Sequence, residues 1–130
     1  MRTGMRWLLA LIYAVAGVIH VSMPTVFLPV MPGWVPAPVP VILFTGACEL
    51  AGAAGLMIPR TRRLAGLMLG LYAVCVFPAN VKHALSGATV FGLSNPWLYH
   101  GPRLLLQPVL VWWALYAGDA IDWPFRRTEQ

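Results

Sequence analysis

Charged residues are scarce in this sequence. Only 10% of its 130 residues are Asp, Glu, Lys or Arg, while 59% are hydrophobic, and the mean hydropathy is +0.72. A soluble domain carries about 25% charged residues, so this chain has too few charges to cover a surface in water. The shortage excludes an ordinary soluble domain and indicates that lipid surrounds most of the chain.

A basic polar face and a cysteine framework are also lacking. The net charge of +5 would suit nucleic acid only if the basic residues shared one polar face. Here they flank apolar segments, as in membrane proteins, so we expect no nucleic-acid partner. Cys48 and Cys75 lie inside apolar segments without C-x-x-C spacing. We interpret them as packing residues; a redox-active pair is the alternative, because both count to the same depth on consecutive antiparallel helices.

Four apolar segments are present, and a membrane helix needs about 20 mainly apolar residues. They cover about 6–23, 39–58, 64–85 and 103–118, separated by stretches rich in proline and glycine. The first segment also resembles a signal peptide, but its apolar run continues past the A-x-A sequence at 14–16. The predicted fold is therefore all-α: a single domain over 1–130 that forms an integral membrane four-helix bundle.

The basic residues predict the orientation of this bundle. Seven of the nine Lys and Arg residues lie at one end of the layout: Arg2, Arg6, Arg60, Arg62, Arg63, Arg126 and Arg127. Cytoplasmic loops of membrane proteins carry an excess of such residues. We therefore predict a multi-pass protein of the bacterial plasma (inner) membrane with both termini in the cytoplasm. The loop "MPTVFLPVMPGWVPAPVP" would then lie at the outer face, as a lid over the polar residues or as a plain connector.

Glu49 is the main anomaly of the apolar segments. No other charged residue occurs between Arg6 and Arg60, and the helical rise of about 1.5 Å per residue places Glu49 near the midplane. Its neighbours at i±3 and i±4 are small, which lets another helix approach this face. A charge at membrane depth costs at least about 2.5–3.5 kcal/mol. Glu49 must therefore be protonated, be paired with a cation, or face a hydrated cavity.

Every predicted helix contributes a polar side chain between the midplane and the outer face. We predict one cluster that binds a ligand, formed by His20, Glu49, Asn80, Arg103 and Gln107. Glu49 is the candidate proton acceptor, and its candidate partners are His20, Lys82 and Arg103. In the alternative interpretation, Glu49 forms a buried pair that only fixes the register of the helices.

The three histidines, His20, His83 and His100, all fall at the outer end and raise the possibility of a metal site. A metal site needs converging ligands, and neither His-x₃-His nor Cys/His spacing occurs. We predict no metal site.

An ordered set of motifs covers about half of the chain, from 16 to 81: "AGVIH…MP…MPGWVPAPV…FTGACELAGAAGLMIPRTRRLAG…VFPANV". This set resembles the DoxX-like family of small four-helix bacterial membrane proteins. The resemblance marks His20, Glu49, Pro78 and Asn80 as characteristic positions. It implies association with membrane oxidoreductase assemblies, since the family is named after a subunit of a thiosulfate:quinone oxidoreductase. Distant animal relatives act as receptor-assembly chaperones.

Three functions follow as hypotheses. The chain is either a quinone-binding or accessory subunit of a membrane redox system, or a non-enzymatic assembly factor that holds partner helices, or a transporter or proton channel. A quinone is the expected cofactor in the first case, and the bilayer and other membrane or redox proteins are the expected partners. The third function would need a homo-oligomer, because four short helices seldom enclose a pathway alone.

Overall fold

The computed structural model describes residues 1–86 and 97–125. These residues form helices and connecting turns without any β-strand, which confirms the all-α prediction for the part of the chain described. The α-helices are α1 Arg2–Ser22, α2 Pro38–Met57, α3 Arg62–Cys75, α4 Phe77–Leu85, α5 Trp97–Leu105 and α6 Gln107–Ala117. A 3₁₀ helix, Pro24–Val30, follows α1.

Three helical stretches are long and apolar enough to cross a membrane. They are α1, α2 and the combined α3–α4 stretch Arg62–Leu85. Many large apolar side chains of these helices point away from the protein, among them Leu11, Val15, Phe44, Leu64 and Leu71. Soluble monomers rarely expose contiguous apolar patches above a few hundred Å², so these outer surfaces are suited to contact with lipid.

Prolines interrupt the second half of the chain at two places. Pro78 and Pro108 lack the N–H that would bond the carbonyl four residues earlier, and the chain changes helix at Val76 and at Leu106. The segment predicted at 103–118 extends further towards the N-terminus, because Trp97 to Pro102 are helical although glycine and proline predict a loop there. Residues 87–96 of that predicted loop, and Arg126 and Arg127 of the orientation argument, lie outside the described residues.

The helices contact one another in a ring. α1 packs against α2 and α6, and α3 packs against the same two helices. α1 and α2 approach most closely where Gly17 faces Gly46: a Cβ on Gly46 would lie 2.8 Å from the Cβ of His20 and 3.0 Å from the carbonyl oxygen of Gly17. The small-residue face around Glu49 is therefore a helix-packing face, as the sequence predicts.

The apolar core occupies one half of the molecule, which we call the terminal end. Its buried residues come from the first part of α1, the last part of α2, the first part of α3 and the last part of α6: Leu9, Ala10, Tyr13, Ala53, Leu56, Ala65, Leu69, Ala114 and Ala117. The opposite ends of the same helices hold the polar side chains of His20, Glu49, Tyr72 and Gln107. The fold thus places the apolar core towards the terminal end and these four polar side chains beyond it.

Candidate functional site

Glu49 lies at the centre of a three-residue contact between α1, α2 and α3. Its side chain is 5% exposed, and the Tyr72 hydroxyl donates a 2.6 Å hydrogen bond to its Oε1. Its Oε2 lies 2.8 Å from Nδ1 of His20. We call Glu49, Tyr72 and His20 the carboxyl triad. Each helix of this junction contributes one member, and the small residues of α2 make the approach possible.

The second oxygen of Glu49 is the incompletely bonded atom of the carboxyl triad. Nδ1 of His20 also lies 2.9 Å from the carbonyl oxygen of Ala16. Among the described residues, no donor reaches Oε2 in hydrogen-bond geometry despite the short distance to His20. A single hydrogen on Nδ1 cannot point at both acceptors, and the Ala16 carbonyl oxygen is the acceptor in hydrogen-bond geometry. Oε2 is therefore the carboxyl oxygen that no donor satisfies among the described residues.

The 3₁₀ helix packs over the His20 side of the carboxyl triad. The Phe27 ring stacks on the His20 imidazole with ring centroids 3.9 Å apart and planes inclined by 14°. Further along the same loop, the carbonyl oxygen of Met31 accepts a hydrogen bond from Lys82 on α4. This proline-rich segment therefore contacts the helices through Phe27 and through Met31, and the Phe27 ring covers one face of His20.

A second polar network joins α3, α4, α5 and α6. Nη2 of Arg103 donates to Oδ1 of Asn80 at 2.6 Å, while Nδ2 of Asn80 donates to Oε1 of Gln107 at 3.1 Å. Nη1 of Arg103 lies 2.9 Å from Nδ1 of His83. Gln107 also donates to the carbonyl oxygen of Ala73 at 2.6 Å. These bonds connect α6 with α3 and α4, and α4 with α5, so they join helices that lie before and after the breaks at Val76 and Leu106.

The buried ring of His100 packs beside this network, and neither of its nitrogens bonds a described residue. It meets the His83 ring edge to face, with centroids 4.7 Å apart, and it is 1% exposed.

Within residues 1–86 and 97–125, no group of three His, Cys, Asp or Glu side chains could hold a metal ion.

A cavity of about 800 Å³ lies between α2 and the α3–α4 stretch. Its walls are mainly apolar, and its polar lining side chains are Thr45, Cys48, Thr61, Tyr72 and Cys75. The proline-rich segment closes one side through Met31, Pro32, Trp34, Val35 and Pro36. Tyr72 lines this cavity and also donates to Glu49, so one member of the carboxyl triad forms part of the cavity wall.

The five side chains predicted to form one cluster are divided between two groups. His20 and Glu49 belong to the carboxyl triad, whereas Asn80, Arg103 and Gln107 form the second network. No hydrogen bond between described residues joins the two groups. Of the candidate partners of Glu49, His20 contacts it; Lys82 bonds a loop carbonyl and Arg103 bonds the second network.

Sequence reasoning missed Tyr72. The signal was available, because a phenol hydroxyl in an apolar segment needs a partner and Tyr72 counts to nearly the same depth as Glu49. It also missed a group at the terminal end, where Asp119 lies 2.8 Å from Arg2 and 3.0 Å from Arg6. The signal there was a pair of acidic residues directly after the last helix, at the end where the basic residues collect.

These observations define the class of protein: an all-helical chain with three helices suited to crossing a membrane, a buried carboxyl triad and an adjoining apolar cavity. The chain belongs to the family described as a domain of unknown function, DUF8561, whose model matches residues 9–117. No curated protein and no solved structure matches the chain. The resemblance to the DoxX-like family stays a prediction.

Proposed function

We propose that this protein is an integral membrane protein that binds a lipid-soluble small molecule of the quinone class in the cavity between α2 and the α3–α4 stretch. It would serve as a binding or accessory subunit of a membrane redox system. The single observation that carries the proposal is the connection of the apolar cavity to the buried Glu49 through the Tyr72 hydroxyl.

The size and lining of the cavity suit such a ligand. Small-molecule sites occupy about 300–1,000 Å³ and combine apolar walls with a few polar groups that orient the ligand. The cavity measures about 800 Å³. A head group inside it would meet the polar side chains of Thr45, Cys48 and Tyr72. An isoprenoid or acyl tail would follow the apolar side chains, of which Leu64, Met68 and Leu71 are also exposed on the outer surface.

The carboxyl triad supports a role in handling a proton. Quinones and quinols differ by two protons as well as two electrons, so a quinone site benefits from an adjacent proton acceptor. Tyr72 lines the cavity and donates to Oε1 of Glu49. A proton released by a bound head group would bind the Tyr72 oxygen while the hydrogen of the Tyr72 hydroxyl passes to Oε1 of Glu49, and the reverse transfer would return it.

The helices and the charges support this location in a membrane. We infer a four-helix membrane bundle in which α5 and α6 together form the fourth crossing beside α1, α2 and the α3–α4 stretch. The basic residues at the terminal end favour a cytoplasmic position for both termini. The DoxX-like motifs add support, because that family is associated with membrane oxidoreductase assemblies.

Titration of the purified protein with a short-chain ubiquinone tests the proposal. Trp34 lines the cavity, so binding is measured by quenching of tryptophan fluorescence. The Ala51→Phe variant places a ring in the cavity, since Ala51 is a lining residue, and we expect its affinity to fall at least about tenfold, or 1.4 kcal/mol.

Ala54→Phe is the matched control for this titration. Ala54 is exposed on the same helix, three residues further on, and does not line the cavity. It should bind the quinone as the unchanged protein does. Equal affinities for both variants and the unchanged protein would place the quinone elsewhere and refute the proposed site.

Assembly of partner proteins is the second candidate function. Its support is that the polar groups already bond one another: Asn80, Arg103 and Gln107 form a continuous network. Such a network can hold the helices in one arrangement without a ligand. An unchanged yield of a partner complex with Ala51→Phe, together with absent quinone binding by the unchanged protein, would favour this function.

A further inference from the structure

A second cavity lies at the terminal end, far along the helices from the carboxyl triad. It has a volume of about 400 Å³, and its lining includes Arg2, Thr3, Arg6, Arg62, Tyr116 and Asp119. Three guanidinium groups from two helices thus line one small cavity. We call it the arginine cavity.

Asp119 contacts all three guanidinium groups of the arginine cavity. Asp119 lies 2.8 Å from Nη1 of Arg2, 3.0 Å from Nη2 of Arg6 and 3.5 Å from Nη1 of Arg62. Nη2 of Arg2 also lies 2.6 Å from Asp122. Among the described residues of this group, the three arginines bring +3 and the two aspartates bring −2, a net charge of +1 for these five side chains.

The arginines are held in place by the fold. Nε of Arg6 donates to the carbonyl oxygen of Ala117 at 2.8 Å, and Nε of Arg62 donates to that of Leu56 at 3.1 Å. The Arg2 guanidinium lies over the Tyr116 ring, 4.2 Å from its centroid. Guanidinium groups fixed in this way need little reordering to receive a phosphate, whose geometry matches the guanidinium fork.

Arg62 is the group best placed to receive an added anion. Its contact to Asp119, at 3.5 Å, is the longest of the three, beyond ordinary hydrogen-bond length. Its side chain is 21% exposed, compared with 8% for Arg6. An anion in the cavity would therefore meet Arg62 first.

The position of the arginine cavity points to the source of the anion. It lies where α1 begins and α6 ends, at one end of helices suited to crossing a membrane. Trp7 and Trp123, both well exposed, belong to the same end, and tryptophans of this kind mark the level of lipid head groups. A lipid phosphate would reach this cavity from the bilayer surface.

We propose that the arginine cavity binds the phosphodiester of an anionic phospholipid. One negative charge neutralises the net +1 of the group. A zwitterionic lipid would bring an added ammonium close to the three guanidiniums, so the site should select a lipid whose head group is otherwise uncharged.

Native mass spectrometry of the delipidated full-length protein tests the proposal. Phosphatidylglycerol and phosphatidylcholine with identical acyl chains are the probes. The unchanged protein should retain phosphatidylglycerol at least about tenfold more strongly, and Arg62→Gln should lose most of this preference, since a hydrogen bond to a charged group accounts for about tenfold or more.

Arg60→Gln is the matched control, because it removes the same charge from an exposed residue two positions away that does not line the cavity. It should keep the preference. If Arg62→Gln does not fold, Arg62→Lys keeps the charge but loses the fork, and should weaken phosphatidylglycerol binding severalfold. Equal retention of the two lipids by the unchanged protein, or equal loss in both glutamine variants, would overturn the proposal. Displacement of phosphatidylglycerol by equimolar inorganic phosphate would assign the site to a soluble anion and overturn the lipid source.

Discussion

At the scale of single residues, the position of Glu49 is explained by the groups around it. A carboxyl group that is 5% exposed would be costly in lipid without partners. The Tyr72 hydroxyl donates to one of its oxygens, and the His20 ring lies 2.8 Å from the other. The Tyr72 hydroxyl is therefore part of what stabilises the fold as well as part of the proposed site.

Replacing Tyr72 with Phe should destabilise the protein. The variant removes the 2.6 Å hydrogen bond to Oε1 of Glu49 and leaves a buried carboxyl oxygen without that donor. We expect the free energy of unfolding to fall by about 1–3 kcal/mol, measured by unfolding in mixed micelles. Tyr13→Phe is the control, because the Tyr13 hydroxyl makes no hydrogen bond with the described residues although its ring packs edge to face on Tyr72. Equal destabilisation by both variants would contradict the role of the bond.

Glu49→Gln separates the chemical role of Glu49 from its structural one. Glutamine keeps the size and can still accept the Tyr72 hydrogen bond, but it cannot take up a proton. We expect the variant to insert and fold, and to lose proton-coupled turnover of the redox system in membrane vesicles. Unchanged turnover, with unchanged ligand binding, would rule out the proton relay and leave Glu49 as a packing residue.

At the scale of helices, close packing depends on small residues and on proline breaks. Gly46 lets α2 approach α1 to within backbone contact, and this approach brings Glu49 near His20. The break before Pro78 redirects α4, whose Asn80 bonds Arg103 and Gln107. The helices therefore meet differently at the two ends of the molecule.

Replacing Gly46 with Ala should separate α1 from α2. A Cβ there would lie 2.8 Å from the Cβ of His20 and 3.0 Å from the carbonyl oxygen of Gly17, which cannot move without shifting α1. Overpacking of this kind costs about 1–3 kcal/mol, and the thermal midpoint in detergent should fall accordingly. Gly101→Ala is the control: it lies inside α5 with nothing within 4 Å of an added Cβ, so it should be neutral or stabilise by up to about 1 kcal/mol. A midpoint unchanged by Gly46→Ala would contradict the close packing.

The helices and the packing face of Glu49 could be predicted from the sequence, because apolar runs and small-residue spacing are local signals. The division of the polar residues into two groups could not. Depth counting gives the height of a side chain, but the direction of α4 after the break at Val76 decides which neighbour it meets. Asn80 is thereby brought to Arg103 and Gln107. The helical conformation of Trp97 to Pro102 could not be predicted either, because Gly101 and Pro102 are local signals for a loop and the chain is helical there nonetheless.

At the scale of the whole molecule, the charged and polar groups fall into two separate regions. The terminal end carries the arginine cavity and the apolar core, and the other half carries the carboxyl triad and the second network. The cavity between α2 and the α3–α4 stretch lies beside the triad. This arrangement suits a protein that receives lipid-soluble molecules from the bilayer beside the carboxyl triad and keeps Arg2, Arg6 and Arg62 at its other end.

Labelling of single cysteines tests this orientation. In a variant with Cys48 and Cys75 replaced by Ala, a cysteine is placed at Thr3, Thr61 or Ser86. Thr3 and the turn residue Thr61 belong to the terminal end, while Ser86 follows α4. A membrane-impermeant maleimide should label Ser86→Cys in intact cells, and should label Thr3→Cys and Thr61→Cys only after the membrane is opened. Labelling of Thr61→Cys in intact cells would reverse the predicted topology.

The central claim is that the cavity beside Tyr72 holds a lipid-soluble molecule, and co-purification from native membranes tests it most directly. The unchanged protein, Ala51→Phe and Ala54→Phe are purified in parallel, and the organic extracts are compared by mass spectrometry. We predict that a quinone accompanies the unchanged protein and Ala54→Phe in near-equal amounts and is depleted at least about tenfold from Ala51→Phe, because Ala51 lines the cavity and Ala54 does not. Absence of any quinone, or the same quinone content in all three proteins, would contradict the claim.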